Sequence, residues 1–434
     1  MKKILLLNSK IRHVSGDYIK TIALFSKNAR ILLLNIFLMG VGMSVFSVLF
    51  NLYLLRMGYS EDIIGVYQMS IGASVAILAI PSGYIIDRFG FKRPMIIASV
   101  ITVLSVIFQA SFFQITIIII FTFVYGGCAS LLMVADNPFM MENSTRSERT
   151  HLFSISYAAM MLKGFFGGLL GGYLPGLIAK IMNFNSDDYL NYRYSLYISI
   201  LFVVASVIPF LFIEEKRKGN SSCLSLIDRF RISKISNKRL FSKLLFPNIL
   251  VGFGAGLIIP FINVYLEKQV NASTSAIGLI FSMTSVLTGL ASFGVPLLTK
   301  RFGKINTVVF TQLISLPFLI GITLSNVLPV VAFFVLTRSI LMNLSTPAMS
   351  NFSMESVEPD EKSLFSGFSG LVWNGTWAVS NIAAGFIMAR ISYLIPYYMC
   401  AVLYFLASVL YLLFFMKSEE RGVVELVLDK EHRL

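Results

Sequence analysis

Twelve long apolar runs separated by short polar breaks set the pattern of this 434-residue chain. They lie near residues 31–55, 62–86, 94–113, 115–138, 152–179 and 194–213, then 245–266, 275–299, 306–324, 328–349, 364–389 and 394–416. A helix needs about 20 apolar residues to cross the hydrocarbon core of a bilayer, and each run meets or approaches that length. The pattern predicts an all-α integral membrane protein with twelve transmembrane helices. Composition agrees. Hydrophobic residues make up 56% and charged residues 13% of the chain, too apolar for a soluble domain of this length.

The formal net charge is +14, which by itself would suit nucleic acid. Its distribution excludes that reading. With both termini on one side of the membrane, 29 lysines and arginines fall on that side, against Arg56, Lys180, Arg193, Lys268 and Arg390 on the other. Such asymmetry marks the cytoplasmic side, so both termini are expected in the cytoplasm of a multi-pass cell-membrane protein. The remaining two cations, Lys163 and Arg338, lie inside spans. Cys128, Cys223 and Cys400 stand apart, with no disulfide or metal-ligand spacing. Residues 1–30 form a basic segment suited to a membrane surface. In the linker, 214–244, Leu224, Leu226, Ile227, Phe230 and Ile232 alternate with Arg229, Arg231 and Lys234. Either an amphipathic helix on an anionic leaflet or a solvated tether fits that stretch.

The two halves of the chain echo each other. Asn51-Leu52-Tyr53-Leu54 returns as Asn263-Val264-Tyr265-Leu266, Ile64-Gly65 as Ile277-Gly278, and Arg88-Phe89-Gly90 as Arg301-Phe302-Gly303. Met141-Glu142 and Phe153-Ser154 return as Met354-Glu355 and Phe365-Ser366, in the same order. Six-helix bundles are therefore expected at 31–213 and 245–416, with a tail at 417–434.

The break between the second and third runs reads PSGYIIDRFGFKRP. Its Gly83, Asp87, Arg88, Gly90, Lys92 and Arg93 resemble, position for position, the loop signature of the major facilitator superfamily. That resemblance implies two parallel six-helix repeats, a central substrate site and alternating access. It also implies a latch in which Asp87 meets the start of the eleventh span, near Ser363 to Ser366. A topological anchor is the alternative reading. In the second copy Lys300 stands for the aspartate and Pro296 for Gly83, so that latch is expected to be degenerate. Glu142, Arg146, Glu148 and Arg149 after the fourth span, and Glu355, Glu361 and Lys362 after the tenth, resemble cytoplasmic charge networks that would include Arg301. A purely structural role is the alternative.

The run KGFFGGLLGG, Lys163 to Gly172, resembles the superfamily's antiporter signature, with Gly167, Gly171 and Gly172 in register. Lys163 stands at the signature's first glycine and Gly168 at its proline. The likeness points to export; small residues at this spacing also serve ordinary helix packing.

Lys163 and Arg338 sit roughly 16–18 Å inside their spans at the α-helical rise. A charge at that depth costs roughly 2.5–3.5 kcal/mol or more and normally faces a cavity or a partner. Two such cations, one in each half, predict a cavity of positive potential for an anionic or zwitterionic solute; a structural buried pair is the alternative. Asp136 is the candidate proton carrier, unless it partners a neighbouring cation. Asn51, Asn263, Gln68, Tyr67, Trp373 and Asn374 are candidate cavity-lining residues, or bridges between helices.

The expected function is secondary transport, with no cofactor or metal expected: a monomer exporting a small organic, anionic or amphipathic solute, coupled to protons or a counter-solute. No G-x-x-x-x-G-K-[ST] run for ATP occurs. A lipid or lipid-linked glycan flippase and a non-transporting receptor or scaffold are the alternatives. An enzyme is not expected, since the spans hold no paired carboxylates, histidine cluster or nucleophile constellation.

Overall fold

The computed structural model describes residues 25–214, 237–358 and 361–431, without the side chains of 416–431 and of residues 146, 147, 150 and 363. The proposed surface segment (1–24 of it) and most of the linker (215–236) lie outside the described residues. The first half consists of α1 (Lys27–Arg56), α2 (Glu61–Phe89), α3 (Lys92–Ser111), α4 (Ile115–Glu142), α5 (Arg146–Met182) and α6 (Tyr189–Leu211). The second half starts with α7 (Lys238–Ile258), a 3₁₀ turn (Ile259–Phe261) and α8 (Ile262–Val270). It continues with α9 (Thr274–Ser292), α10 (Val295–Phe302), α11 (Lys304–Gly321), α12 (Leu328–Ser356), α13 (Lys362–Arg390) and α14 (Ile395–Glu431).

Among the described residues, eleven spans are long and apolar enough to cross a membrane. The twelfth member of the bundle is α13, whose apolar face is diluted by Asn374, Thr376, Ser380 and Asn381. Two expected spans are broken. Pro260, which has no N–H to donate, sits in the 3₁₀ turn between α7 and α8. A break at Phe293 and Gly294, ahead of Pro296, separates α9 from α10. Helix α5 begins earlier than its apolar run because Glu148 accepts the Thr145 backbone N–H at 3.2 Å, as in a capping box. Helix α14 continues past the expected end at 416 to Glu431.

In the first half α1 packs on α5 and α6, α2 on α4, and α3 on α4 and α6. In the second half α7 packs on α13 and α14, α9 on α12, and α11 on α12 and α14. These sets correspond span for span. The halves join along α2–α13 and α5–α9, a pairing that maps onto itself when the halves are exchanged. Large apolar side chains stand exposed around the outside, among them Ile97, Met133, Leu201, Phe310 and Leu413. That surface suits lipid rather than water.

Hydrogen bonds repeat at the same interval as the sequence. Tyr53 Oη donates to the Ala110 carbonyl at 3.0 Å, and Tyr265 Oη to that of Ile322 at 3.0 Å. Arg88 lies over Phe89 and Arg301 over Phe302, each 5.4 Å from the ring centroid. Gly90 closes α2 with φ 77° and ψ −171°, and Gly303 closes α10 with φ 86° and ψ 169°. That backbone region is essentially restricted to glycine. Gly90→Ala and Gly303→Ala are therefore each expected to destabilise the protein by about 1–3 kcal/mol. Thermal unfolding in detergent should show two losses of similar size, since the two turns share one geometry.

Candidate functional site

Helix α5 explains how the halves approach so closely. One of its stripes faces α1: Cβ atoms built on Gly167 and Gly171 would lie 2.2 Å from Ser44 and 3.1 Å from Val48. The neighbouring stripe faces α9 of the other half. Cβ atoms on Gly164, Gly168 and Gly172 would meet Ser285 at 2.3 Å, Ser282 at 2.4 Å and Gly278 at 2.9 Å. The glycine run thus admits two neighbours at once, and its spacing serves close packing on both. Lys163 belongs to the α1 stripe. Its stem lies where a Cβ on Gly40 would be, 2.0 Å from Lys163 Cδ. The space that the signature's first glycine would leave on α5 is supplied here by α1.

The second seam is built in the same manner. A Cβ on Gly65 of α2 would be 2.6 Å from the Asn381 carbonyl oxygen, and one on Gly385 of α13 would be 2.9 Å from Gly65 Cα. One further contact follows along α2, where Gly72 faces Asn374 and Ala378 at 3.2 Å. Asn381 is fully buried here, and neither its Nδ2 nor its Oδ1 has a partner.

Three of the sequence-predicted residues meet between the seams. Asn51 Nδ2 donates to the Pro260 carbonyl at 2.6 Å and to Asn263 Oδ1 at 3.3 Å. Asn263 Nδ2 donates to the Val48 carbonyl at 2.9 Å. Pro260 is the counterpart of Val48 at the interval that relates Asn263 to Asn51, so each asparagine grips the other half at the matching carbonyl. Gln68 Nε2 adds a bond to Asn51 Oδ1 at 3.0 Å. Both asparagines are 1% exposed. In this conformation they form a clasp between helices rather than an open lining.

The clasp lies toward the distal side, the end of the bundle opposite the chain termini. Around it Arg56 pairs with Glu267 and, at 3.0 Å, with Asp187. Asp62 approaches Arg390 at 3.7 Å, and Tyr393 Oη donates to Glu61. Burial, then the Glu61 bond, hold the Tyr393 hydroxyl above the usual tyrosine range. A raised native-state value keeps the bond's contribution full below that range and loses it only as pH climbs beyond it. A cleft of about 460 Å³ opens beside Arg56, lined also by Tyr192, Asp187, Glu267, Lys268 and Thr274. Sequence reasoning missed this rim. Its signal was the small set of distal charges, counted only as a topology marker.

Lys163 and Arg338 do not converge. Arg338 is 3% exposed, donates from Nη2 to Tyr404 Oη at 2.9 Å and lies 5.6 Å from that ring's centroid. It is directed into the second bundle toward α14, because Gly254 of α7 lets Tyr404 and Cys400 approach closely. Lys163 is half-buried. It lies near enough to Asp136 of α4 to interact electrostatically, without a direct ion pair. Tyr67 is buried on Phe50, with ring centroids 4.7 Å apart. Trp373 and Trp377 are half-buried at 5.9 Å, and Asn374 bonds to the Gly370 carbonyl of its own helix at 2.9 Å.

At the terminal side Asp87, Arg88 and Arg93 are exposed, and Arg88 Nη1 reaches Tyr84 Oη at 3.2 Å. Glu355 pairs with Lys304, and Lys27 with Glu214, each within one half. The Lys27 hydrogen bond holds Glu214 below the usual carboxylate range. Glu148 serves the α5 cap, Arg149 Nη2 donates to the Met141 carbonyl at 3.0 Å, Glu361 is buried and Lys362 exposed. Arg146's side chain and Ser363's lie outside the described residues.

Comparison with known proteins agrees with this architecture. No curated protein matches the chain in sequence. A variant of the nucleoside transporter NupG superposes with a TM-score of 0.72 at 13% identity, covering 89% of this chain and all of its own. A bacterial homologue of the human lysosomal transporter Spinster, inward-facing and occupied, gives 0.69 at 17%, covering 90% and 97%. The human organic anion transporter MFSD10 (TETRAN) gives 0.63 at 14%, covering 89% and 99%. The family model described as Major Facilitator Superfamily matches twice, over residues 32–246 and 244–431. With a family match over each half, the chain belongs to the major facilitator superfamily of transporters.

Proposed function

We propose that this protein is a secondary transporter working by alternating access, a monomer of the cell membrane with both termini in the cytoplasm. The reciprocal asparagine clasp carries this reading. It ties the two halves at one end of their seam, through polar bonds that can break and re-form without disturbing either bundle. With the basic excess of the terminal side read as cytoplasmic, the clasp and its ionic rim close the extracellular end. Surface pairs such as Asp62–Arg390 contribute about 0–1 kcal/mol each, weak enough to be exchanged in every cycle.

The substrate is proposed to be a small organic, amphipathic solute with an anionic group. Lys163 supports it, as a central, half-buried cation that has no direct ion pair. Trp373 and Trp377 offer an aromatic surface for an apolar part. Arg338 takes no part in this proposal, since Tyr404 holds it within the second bundle. Asp136, near Lys163 yet not bonded to it, is the proposed proton-coupling group. Export is supported by the likeness of the Lys163–Gly172 run to the antiporter signature.

Two tests follow. In proteoliposomes, Lys163→Gln should weaken binding of a transported organic anion roughly ten-fold or more, the usual scale for a lost charge-assisted hydrogen bond. A neutral analogue should lose much less. Arg338→Gln should affect both ligands alike. If Lys163→Gln does not discriminate by ligand charge, the anion reading fails.

The second test concerns the terminal side. Asp87→Asn should reduce transport at least several-fold while the purified protein stays monodisperse and folded. Cysteine labelling from the cytoplasm should then show a more open cavity. Unchanged flux and labelling would leave the motif as a topology anchor.

A further inference from the structure

Among the described residues, Asn381 is the buried amide whose nitrogen and oxygen both lack a protein partner. It belongs to the stripe of α13 that faces α2, with Asn374, Ala378 and Gly385 as its neighbours on that stripe. Its side chain is 0% exposed, and both amide atoms lack a partner. The amide nearest on α2 is turned elsewhere: Gln68, between Gly65 and Gly72, donates to Asn51 on α1. Glycine on both helices brings the two backbones so close at this level that a Cβ on Gly65 would clash with the Asn381 carbonyl.

A carboxamide can make up to four hydrogen bonds. Where the α2–α13 seam is closed, Asn381 makes none from its side chain. Where the seam is open, water supplies them. Closure therefore takes Asn381 out of bulk water without giving its side chain a bond from the protein. The asparagine clasp acts in the opposite sense. Asn51 and Asn263 gain bonds across the seam on closing, at 2.6–3.3 Å, and Gln68 steadies Asn51 from within the first half. The two sets lie on the same distal half of the same interface.

We propose that Asn381 is a positioning residue of the transport cycle, whose unpaired amide opposes distal closure and balances the Asn51–Asn263–Gln68 clasp. The inference rests on the alternating-access reading given above. A clasp without a counterweight would hold the distal side shut and slow every turnover. An opposing term of similar size keeps both states within reach of a modest binding energy, which is all that a substrate can contribute to the shift.

The test uses a cysteine reporter at Ser282. This residue is 0% exposed on the other seam, where its hydroxyl donates to the Phe165 carbonyl at 2.9 Å, so it responds to opening without touching Asn381. In a transport-competent protein lacking Cys128, Cys223 and Cys400, a membrane-impermeant maleimide added from outside reads the outward-open population. Asn381→Leu keeps the side chain's branching and removes its polarity, and should lower the labelling rate roughly ten-fold. Asn51→Ala should raise it, and the double variant should return toward the parent. Asn381→Ala, which adds no bulk beside Gly65, serves if the leucine variant fails to fold. A rate unchanged or raised in the folded Asn381 variants, while the parent reporter still alternates, overturns the proposal. A parent whose Ser282→Cys label never responds to substrate from either side overturns the alternating-access reading instead.

Discussion

Backbone-to-backbone approach at two glycine-lined seams is the constraint on which the rest of this molecule depends. Helices in a bilayer gain little from hydrophobic burial against one another, because lipid tails are equally apolar. What holds two bundles together is then close contact and polar bonds. Gly65 with Gly385, and Gly168 and Gly172 with Gly278, provide that contact. The asparagine clasp and the Arg56–Glu267 pair provide the bonds. Larger residues at the glycines would hold the halves apart and leave both polar sets without reach.

The internal duplication converts this constraint into a symmetric device. Residues on an approximate two-fold axis meet their own counterparts, so a single ancestral contact becomes a reciprocal pair. Asn51 and Asn263 are such a pair, gripping the carbonyls of Pro260 and Val48. Departures from symmetry then stand out. The space that Gly40 leaves for Lys163 is echoed by Gly252, which receives Thr376 of α13, but the charge has no echo, and the Arg338–Tyr404 bond has none in the first half. Specialisation of the two bundles is concentrated at these charges.

Much of this was legible in the sequence because polar breaks and repeated words are local signals. The spans, the Asp87–Arg93 loop and the equivalence of Asn51 with Asn263 required no knowledge of packing. What was not legible depends on which way a side chain turns. Arg338 reads as a central cation, yet it meets Tyr404, which packs against Gly254 three spans before Arg338. Asn381 is one of several polar residues in α13, and only its three-dimensional setting shows that its amide has no protein partner. The interruptions at Pro260 and Phe293–Gly294 were masked because the hydrophobic runs continue straight through them.

The break between α7 and α8 makes the two sides of the clasp mechanically unequal. Asn51 stands on a continuous 30-residue helix, a rigid post. Asn263 stands on a nine-residue segment that can pivot about the 3₁₀ turn like a short leaf on a hinge. Asn263, Tyr265 and Glu267 all ride on that leaf. A swing of α8 alone would release the bonds of Asn263 and the Arg56–Glu267 bridge together, leaving the Asn51 bond to Pro260 at the hinge and the glycine seams in place. The clasp thus joins a continuous support to a hinged one, and its bonds to Pro260 and to Asn263 need not part together.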